Sequence, residues 1–160
     1  MKVRKATTKD LVQLSELFDG YRQFYQQKSN IDAATLFLQQ RLMKGDSVIF
    51  VAATEDQRSV GKLLGFTQLY PSFSSVSLQR LWVLNDLFVG VDARKMGVAK
   101  ALIDASFHWA QITDSKGLAL ETDSDNIKAQ KLYAKLNFIK QDSTYHYFLP
   151  TQAINMDQSL

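Results

Sequence analysis

The chain contains no cysteine, and its 160 residues include only two prolines and two histidines. Without cysteine there is no disulfide framework, no thiolate metal site and no thiol nucleophile. His108 and His146 lack metal-ligand spacing, so no metal is expected. No apolar run is long enough to span a membrane, and the start, MKVRKATTKDL, has basic residues without the apolar region of a secretory signal. A soluble, cytoplasmic protein with no membrane partner is the expectation. Charge of one sign is also scarce. Lys plus Arg number 19 against 16 Asp plus Glu, a net +3 that is too small and too dispersed to argue for nucleic acid.

What is present fits one globular domain over residues 1–150, followed by a polar tail at 151–160. Lys2 to Ala6 suits a short strand, and Thr7 with Asp10 makes an approximate capping box for a helix running to about Gln26. Ser29, Asn30 or Asp32 can cap a second helix that Gly45 terminates. Val48 to Thr54 reads as a strand, EDQRS as a turn, and Val60 to Tyr70 as a second strand ended by Pro71. A third long strand is expected over Leu81 to Val89. A helix from Val98 then puts Val98, Leu102, Ala105 and Trp109 on one face, with Ile103 and Phe107 beside it. Leu118 to Glu121 reads as a strand, Ile127 to Leu136 as a helix capped from TDSDN and closed by Asn137, and Phe138 to Lys140 and Tyr145 to Leu149 as two last strands. This order describes an α/β chain with a mixed sheet.

The most informative stretch is Asn85 to Trp109, where an apolar strand passes through Arg94, Lys95 and Gly97 into a helix. The first helical N–H groups lack partners within the helix and carry partial positive charge. With close backbone approach at Gly97 and Ala99 and cations at its mouth, the turn suits a phosphate chain. The same spacing also suits an ordinary strand-to-helix turn with surface basic residues. It matches neither the phosphate-binding loop that ends in GK[ST] nor the three-glycine dinucleotide fingerprint.

Arg94, Gly97 and Ala99, in RKMGVA, resemble motif A, [RQ]xxGx[GA], of the GNAT superfamily of acetyl-CoA-dependent N-acetyltransferases. Downstream, DNIKAQKLYAKLNFIK resembles the family's motif B, with Asn126, Ala129, Tyr133 and Phe138 in register and Asn137 in place of the usual glycine. The resemblance covers nearly the whole chain up to Leu149. It implies a GNAT fold: a mixed, mostly antiparallel central sheet with splayed strands and about four helices. It implies acetyl-CoA as cosubstrate and a homodimer as an ordinary assembly. Carried over by position, it also implies that the backbone at Leu87 and Val89, with Phe88 between them, binds the pantetheine arm. Pyrophosphate would rest on the backbone of Lys95, Met96, Gly97, Val98, Ala99 and Lys100, with Arg94 as its cation. Asn126 would bind the arm or a nearby group, and Tyr133 would sit by the thioester sulfur.

Direct attack of an amine on a thioester develops an oxyanion and a departing thiolate, and a phenol on a helix can give that thiolate a proton. Tyr133 is the candidate, although its spacing with Ala129 and Leu136 would equally suit a core aromatic. The base is less apparent. Some relatives place a glutamate two to four residues before the LFV triplet, whereas Val83 and Asn85 hold that strand parity here. Asp86 would point to the other face of a regular strand, and a bulge would re-aim it. It is the first candidate for the base, alongside a purely structural carboxylate, Glu121, Asp123, or water relayed by Asn85. Tyr21, Tyr25 and Phe73 are candidate walls of an acceptor pocket, and core packing is the other reading of the two tyrosines. LNDLFV and YRQFY resemble the branch of the family that contains polyamine and histone-tail acetyltransferases, which implies acetyl transfer to a primary amine of a small, polyamine-like molecule. The alternatives are a protein lysine or N-terminal amine as acceptor, and a CoA-binding regulatory domain without catalysis.

Overall fold

A computed structural model describes residues 1–55 and 61–151, so most of the EDQRS turn, Val60 and nearly all of the polar tail lie outside the described residues. Two compact units result, Met1–Asp125 and Asn126–Leu160. The first holds strands β1 (Lys2–Lys5), β2 (Val48–Ala53), β3 (Leu63–Ser74), β4 (Gln79–Val89) and β5 (Ser115–Ala119), with helices α1 (Leu11–Phe24), α2 (Ile31–Lys44) and α3 (Val98–Ile112). The second holds helix α4 (Ile127–Lys135). The strands form one sheet in the order β1-β2-β3-β4-β5, antiparallel except for the β4–β5 pair. Among the described residues this is the mixed, mostly antiparallel sheet with about four helices that the resemblance implies.

Side-chain alternation along β2 divides the core between the two faces of the sheet. Ile49, Val51 and Ala53 join Leu14 and Phe18 of α1 and Ala34 and Leu38 of α2 in one apolar cluster, with Phe66 of β3 at its centre. Phe50, one residue out of step, packs against Trp109 of α3, which also meets Trp82 of β4. Each fully buried leucine here contributes roughly 1.5–3 kcal/mol by leaving water.

Local signals set several boundaries. Asn30 caps α2 by accepting from the Ala33 N–H at 3.0 Å, and Gly45 ends it with φ 62°. A short 3₁₀ turn, Thr8–Asp10, leads into α1 where the sequence suggests helix from the start. There the buried Asp10 carboxylate accepts from the Thr7 N–H at 2.8 Å and from both terminal nitrogens of Arg4 at 2.7 and 2.8 Å.

Four expectations need correction. β3 runs through Pro71 to Ser74, because β2 pairs no further than Leu69 and leaves Pro71 on an edge where a missing N–H is tolerated. β5 begins at Ser115 and ends at Ala119 rather than spanning Leu118 to Glu121. Phe107 is half exposed and does not join the buried face of α3. Residues 138–151 contain no strand, and Tyr145, Tyr147, Phe148 and Leu149 are exposed. β-propensity reflects packing against neighbouring strands, so an aromatic, alternating segment without a ladder partner does not become a strand.

Candidate active site

The ladder between β3 and β4 is interrupted once. Gln68 faces Asp86, Leu69 faces Leu84, and Asn85 is the extra residue between them. A bulge of this kind shifts the side-chain parity of everything beyond it. Trp82 accordingly packs toward α3, whereas Asp86 and Phe88 turn toward α1.

Asp86 is 4% exposed, and neutral donors surround its carboxylate. Gln68 Nε2 donates to Oδ2 at 2.7 Å, Asn85 Nδ2 to Oδ1 at 3.0 Å, and the Tyr21 hydroxyl bonds the same group. Burial pushes the carboxyl above its ordinary value, against the opposite pull of these three hydrogen bonds. Nearby phenols respond to the same buried charge. Tyr70 is pushed up to about 12, first by burial and then by Asp86. Tyr25 is raised by burial, then by the negative charges of Asp123 and Asp86. Tyr21 and Tyr25 meet edge to face at 5.1 Å. The group as a whole is acidic, aromatic and partly desolvated.

The structure thus brings Asp86, Asn85, Tyr21 and Tyr25 together, with Asp123 near enough to act on Tyr25. Phe73 is not among them. It lies toward the far end of the β3–β4 hairpin, exposed, 5.2 Å from the Arg80 guanidinium. Gln68 and Tyr70 complete the group and were missed in the sequence. Their one signal was a glutamine in the otherwise apolar strand GFTQLY, two residues before a tyrosine that shares its face.

β4 is paired on its other side with β5 only as far as Val83, so the sheet opens beside Leu87, Phe88 and Val89. Phe88 packs against the core, and its ring lies 6.3 Å from that of Tyr21. Beyond Gly90 the backbone takes positive φ at Lys95 (64°) and Gly97 (80°), and α3 starts at Val98. Ala101 N–H makes the first helical bond, to Gly97 O at 3.0 Å, so the amides of Val98, Ala99 and Lys100 have no acceptor within the helix. Among the described residues, nothing lies within 4 Å of where a Cβ would stand on Gly97. Lys95, Met96 and Gly97 are exposed, and Arg94 is anchored by Nε to Val89 O at 3.3 Å, so its charge stays at the mouth of the turn. Lys100 pairs with Asp104 at 2.6 Å. An open concavity of free amides flanked by cations fits a pyrophosphate, and the open strand edge next to it fits an amide-bearing arm.

In the second unit, Asn126 caps α4 by accepting from the Ala129 N–H at 3.2 Å. At the other end Asn137 takes φ 63°, with Phe138 N–H bonded to Tyr133 O at 3.0 Å and Asn137 N–H to Ala134 O at 3.1 Å. This is a Schellman cap, and the Tyr133 and Phe138 rings that accompany it lie 5.6 Å apart. Asparagine tolerates the left-handed region better than other non-glycine residues, which explains how it stands where motif B has glycine.

A sheet that parts beside β4, followed by a glycine turn into a helix, defines the fold class of the acetyl-CoA-dependent acetyltransferases. The chain belongs to the acetyltransferase (GNAT) family, whose model matches residues 12–138. It is 40% identical over 153 residues to an uncharacterized N-acetyltransferase, YhfO, of Bacillus subtilis, covering 96% of this chain and 99% of the relative. A probable acetyltransferase of Haemophilus influenzae is 35% identical over 121 residues, 76% of this chain and 80% of the relative. The crystal structure of a probable acetyltransferase superposes with a TM-score of 0.87 at 38% identity, covering 96% of this chain and 99% of that one. The protein is an acetyltransferase, and its family uses acetyl-CoA as cosubstrate. Among the described residues no helix is long and apolar enough to cross a membrane.

Proposed function

We propose that the protein acetylates a primary amine of a small, polyamine-like cation by direct transfer. The observation that supports this most is the buried Asp86 carboxylate ringed by Tyr21, Tyr25 and Tyr70, with Asp123 at the Tyr25 side. Aromatic faces and carboxylates attract an ammonium group and offer little to a neutral or anionic acceptor. Asp86 takes a proton from the ammonium, because an amine must be neutral to attack. Asn85, Gln68 and Tyr21 hold the carboxylate still while it does so.

Acetyl-CoA, when bound, supplies the acetyl group as an activated thioester. Its pyrophosphate would be held by the amides from Lys95 to Lys100 with Arg94, and its arm by the backbone of Leu87 and Val89. The motif B resemblance alone makes Asn126 a candidate for the arm and Tyr133 a candidate proton donor to the leaving sulfur. A cytoplasmic homodimer is part of the same proposal, and light scattering reads the assembly. Thiol release from acetyl-CoA with a panel of amines tests the activity: turnover is expected with di- and polyamines. CoA binding without release for any amine would overturn it, and acetylated peptides in a digest without turnover of free amines would move the acceptor to a protein amine.

A further inference from the structure

Gln68 stands opposite Asp86 in the ladder and is wholly buried. Its two ends are both engaged. Oε1 accepts from Ser47 Oγ at 3.0 Å, Nε2 donates to Asp86 Oδ2 at 2.7 Å, and the Tyr70 side chain also bonds this glutamine. The amide cannot flip without turning its oxygen onto the carboxylate, so the donor end stays on Asp86. We propose that Gln68 is a positioning residue that holds the Asp86 carboxylate fixed and ionised in a buried site, and that Ser47, the residue before β2, anchors it. This inference rests on the reading of Asp86 as the proton acceptor.

Other groups also face Asp86, and two of them bond it. From α1 come Tyr21, which bonds it, and Tyr25; from β3, Tyr70; from its own strand, Asn85. Arg41 and Asp46 act on Tyr70, and Asp123 acts on Tyr25. Every donor that these bonds give Asp86 is neutral, so the ionised form depends on hydrogen bonds rather than on an ion pair. When the acceptor's ammonium gives up its proton, its N–H bond breaks, an O–H bond forms on Asp86, and the Gln68 donor loses a charged acceptor for a neutral one. Loss of that donor therefore makes the carboxylate harder to ionise.

The experiment follows the Asp86 carboxyl carbon by NMR across pH in protein labelled at aspartate, assigned with Asp86→Asn. Gln68→Met should raise the titration midpoint by roughly one to two pH units. Ser47→Ala keeps the glutamine and should move it less, in the same direction; it carries the test if the methionine variant does not fold. An unchanged midpoint in the folded variants overturns the inference, since a merely structural role would alter thermal stability and leave this titration in place. Turnover of Asp86→Asn is read separately. Full activity there would sink the proton-acceptor reading whatever the titration shows.

Discussion

Trp82 and Asp86 are four residues apart on β4, yet their side chains lie on opposite faces of the sheet. A strand with period two would put them together; the bulge at Asn85 separates them. Inserting one residue between Gln68 and Leu69 would give Asn85 a partner, restore a regular ladder and turn Asp86 and Phe88 onto the face of Trp82, toward α3. We expect loss of the cooperative thermal transition, or a folded protein with no detectable turnover, whereas Asn85→Ala should change Tm by only a few degrees. Differential scanning calorimetry with a thiol-release assay checks both.

Asp86→Asn should lower turnover by about 10²-fold or more if the carboxylate moves a proton. Its effect on stability depends on pH. Burial raises the folded-state value above 3.8. Between about pH 4 and that raised value the native state keeps a proton that the unfolded chain has released, so the contribution of Asp86 falls as pH rises through this window. Urea unfolding across pH should therefore show the wild type losing ground to Asp86→Asn as the solution becomes less acidic.

Asp10 behaves in the reverse sense. Burial opposes its ionisation, but bonds from Arg4 and Thr7 outweigh it and set its carboxyl below the usual range. Asp19 is lowered too, first by the Asn30 N–H and the Ser29 hydroxyl. The stability that these two contribute is complete above the ordinary carboxylate range near about pH 4 and is lost as pH falls through their depressed values. Asp10→Ala should cost about 2–3 kcal/mol, since it removes charge-assisted bonds that tie β1 to the start of α1. Chemical denaturation at neutral and acid pH measures both effects.

Gly97→Ala meets no atom of the described residues, but it places a side chain at φ 80°. The strain is about 1–2 kcal/mol, and the methyl group would project into the concavity assigned to pyrophosphate. We expect KM for acetyl-CoA to rise about tenfold, the value of 1.4 kcal/mol of lost binding, with kcat changed far less and Tm lowered by a few degrees through the strain. Steady-state kinetics with varied acetyl-CoA reads the split.

Asn137→Gly should be neutral or slightly stabilising, because φ 63° suits glycine at the Schellman position. Asn137→Val should cost about 1 kcal/mol or more for the same reason. Hydrogen exchange at the Phe138 amide, which bonds Tyr133 O, reports the cap directly.

Where the physics is local, the sequence alone determined the outcome. Gly97 ends a strand-to-helix turn, and Asn30 and Asn126 cap helices through side-chain acceptors, all readable within a few neighbouring positions. The order of the two motifs was enough to indicate the family. Tertiary structure decided what depends on register between distant segments. Whether Asp86 faced α1 or α3 turned on one extra residue in the β3–β4 ladder, and only that pairing set Gln68 against the carboxylate. Phe73, in a loop that read as a pocket wall, was carried away by a strand that continued past Pro71. The aromatic segment at 145–149 has the composition of a strand, but a strand exists only where a neighbouring backbone supplies its hydrogen bonds.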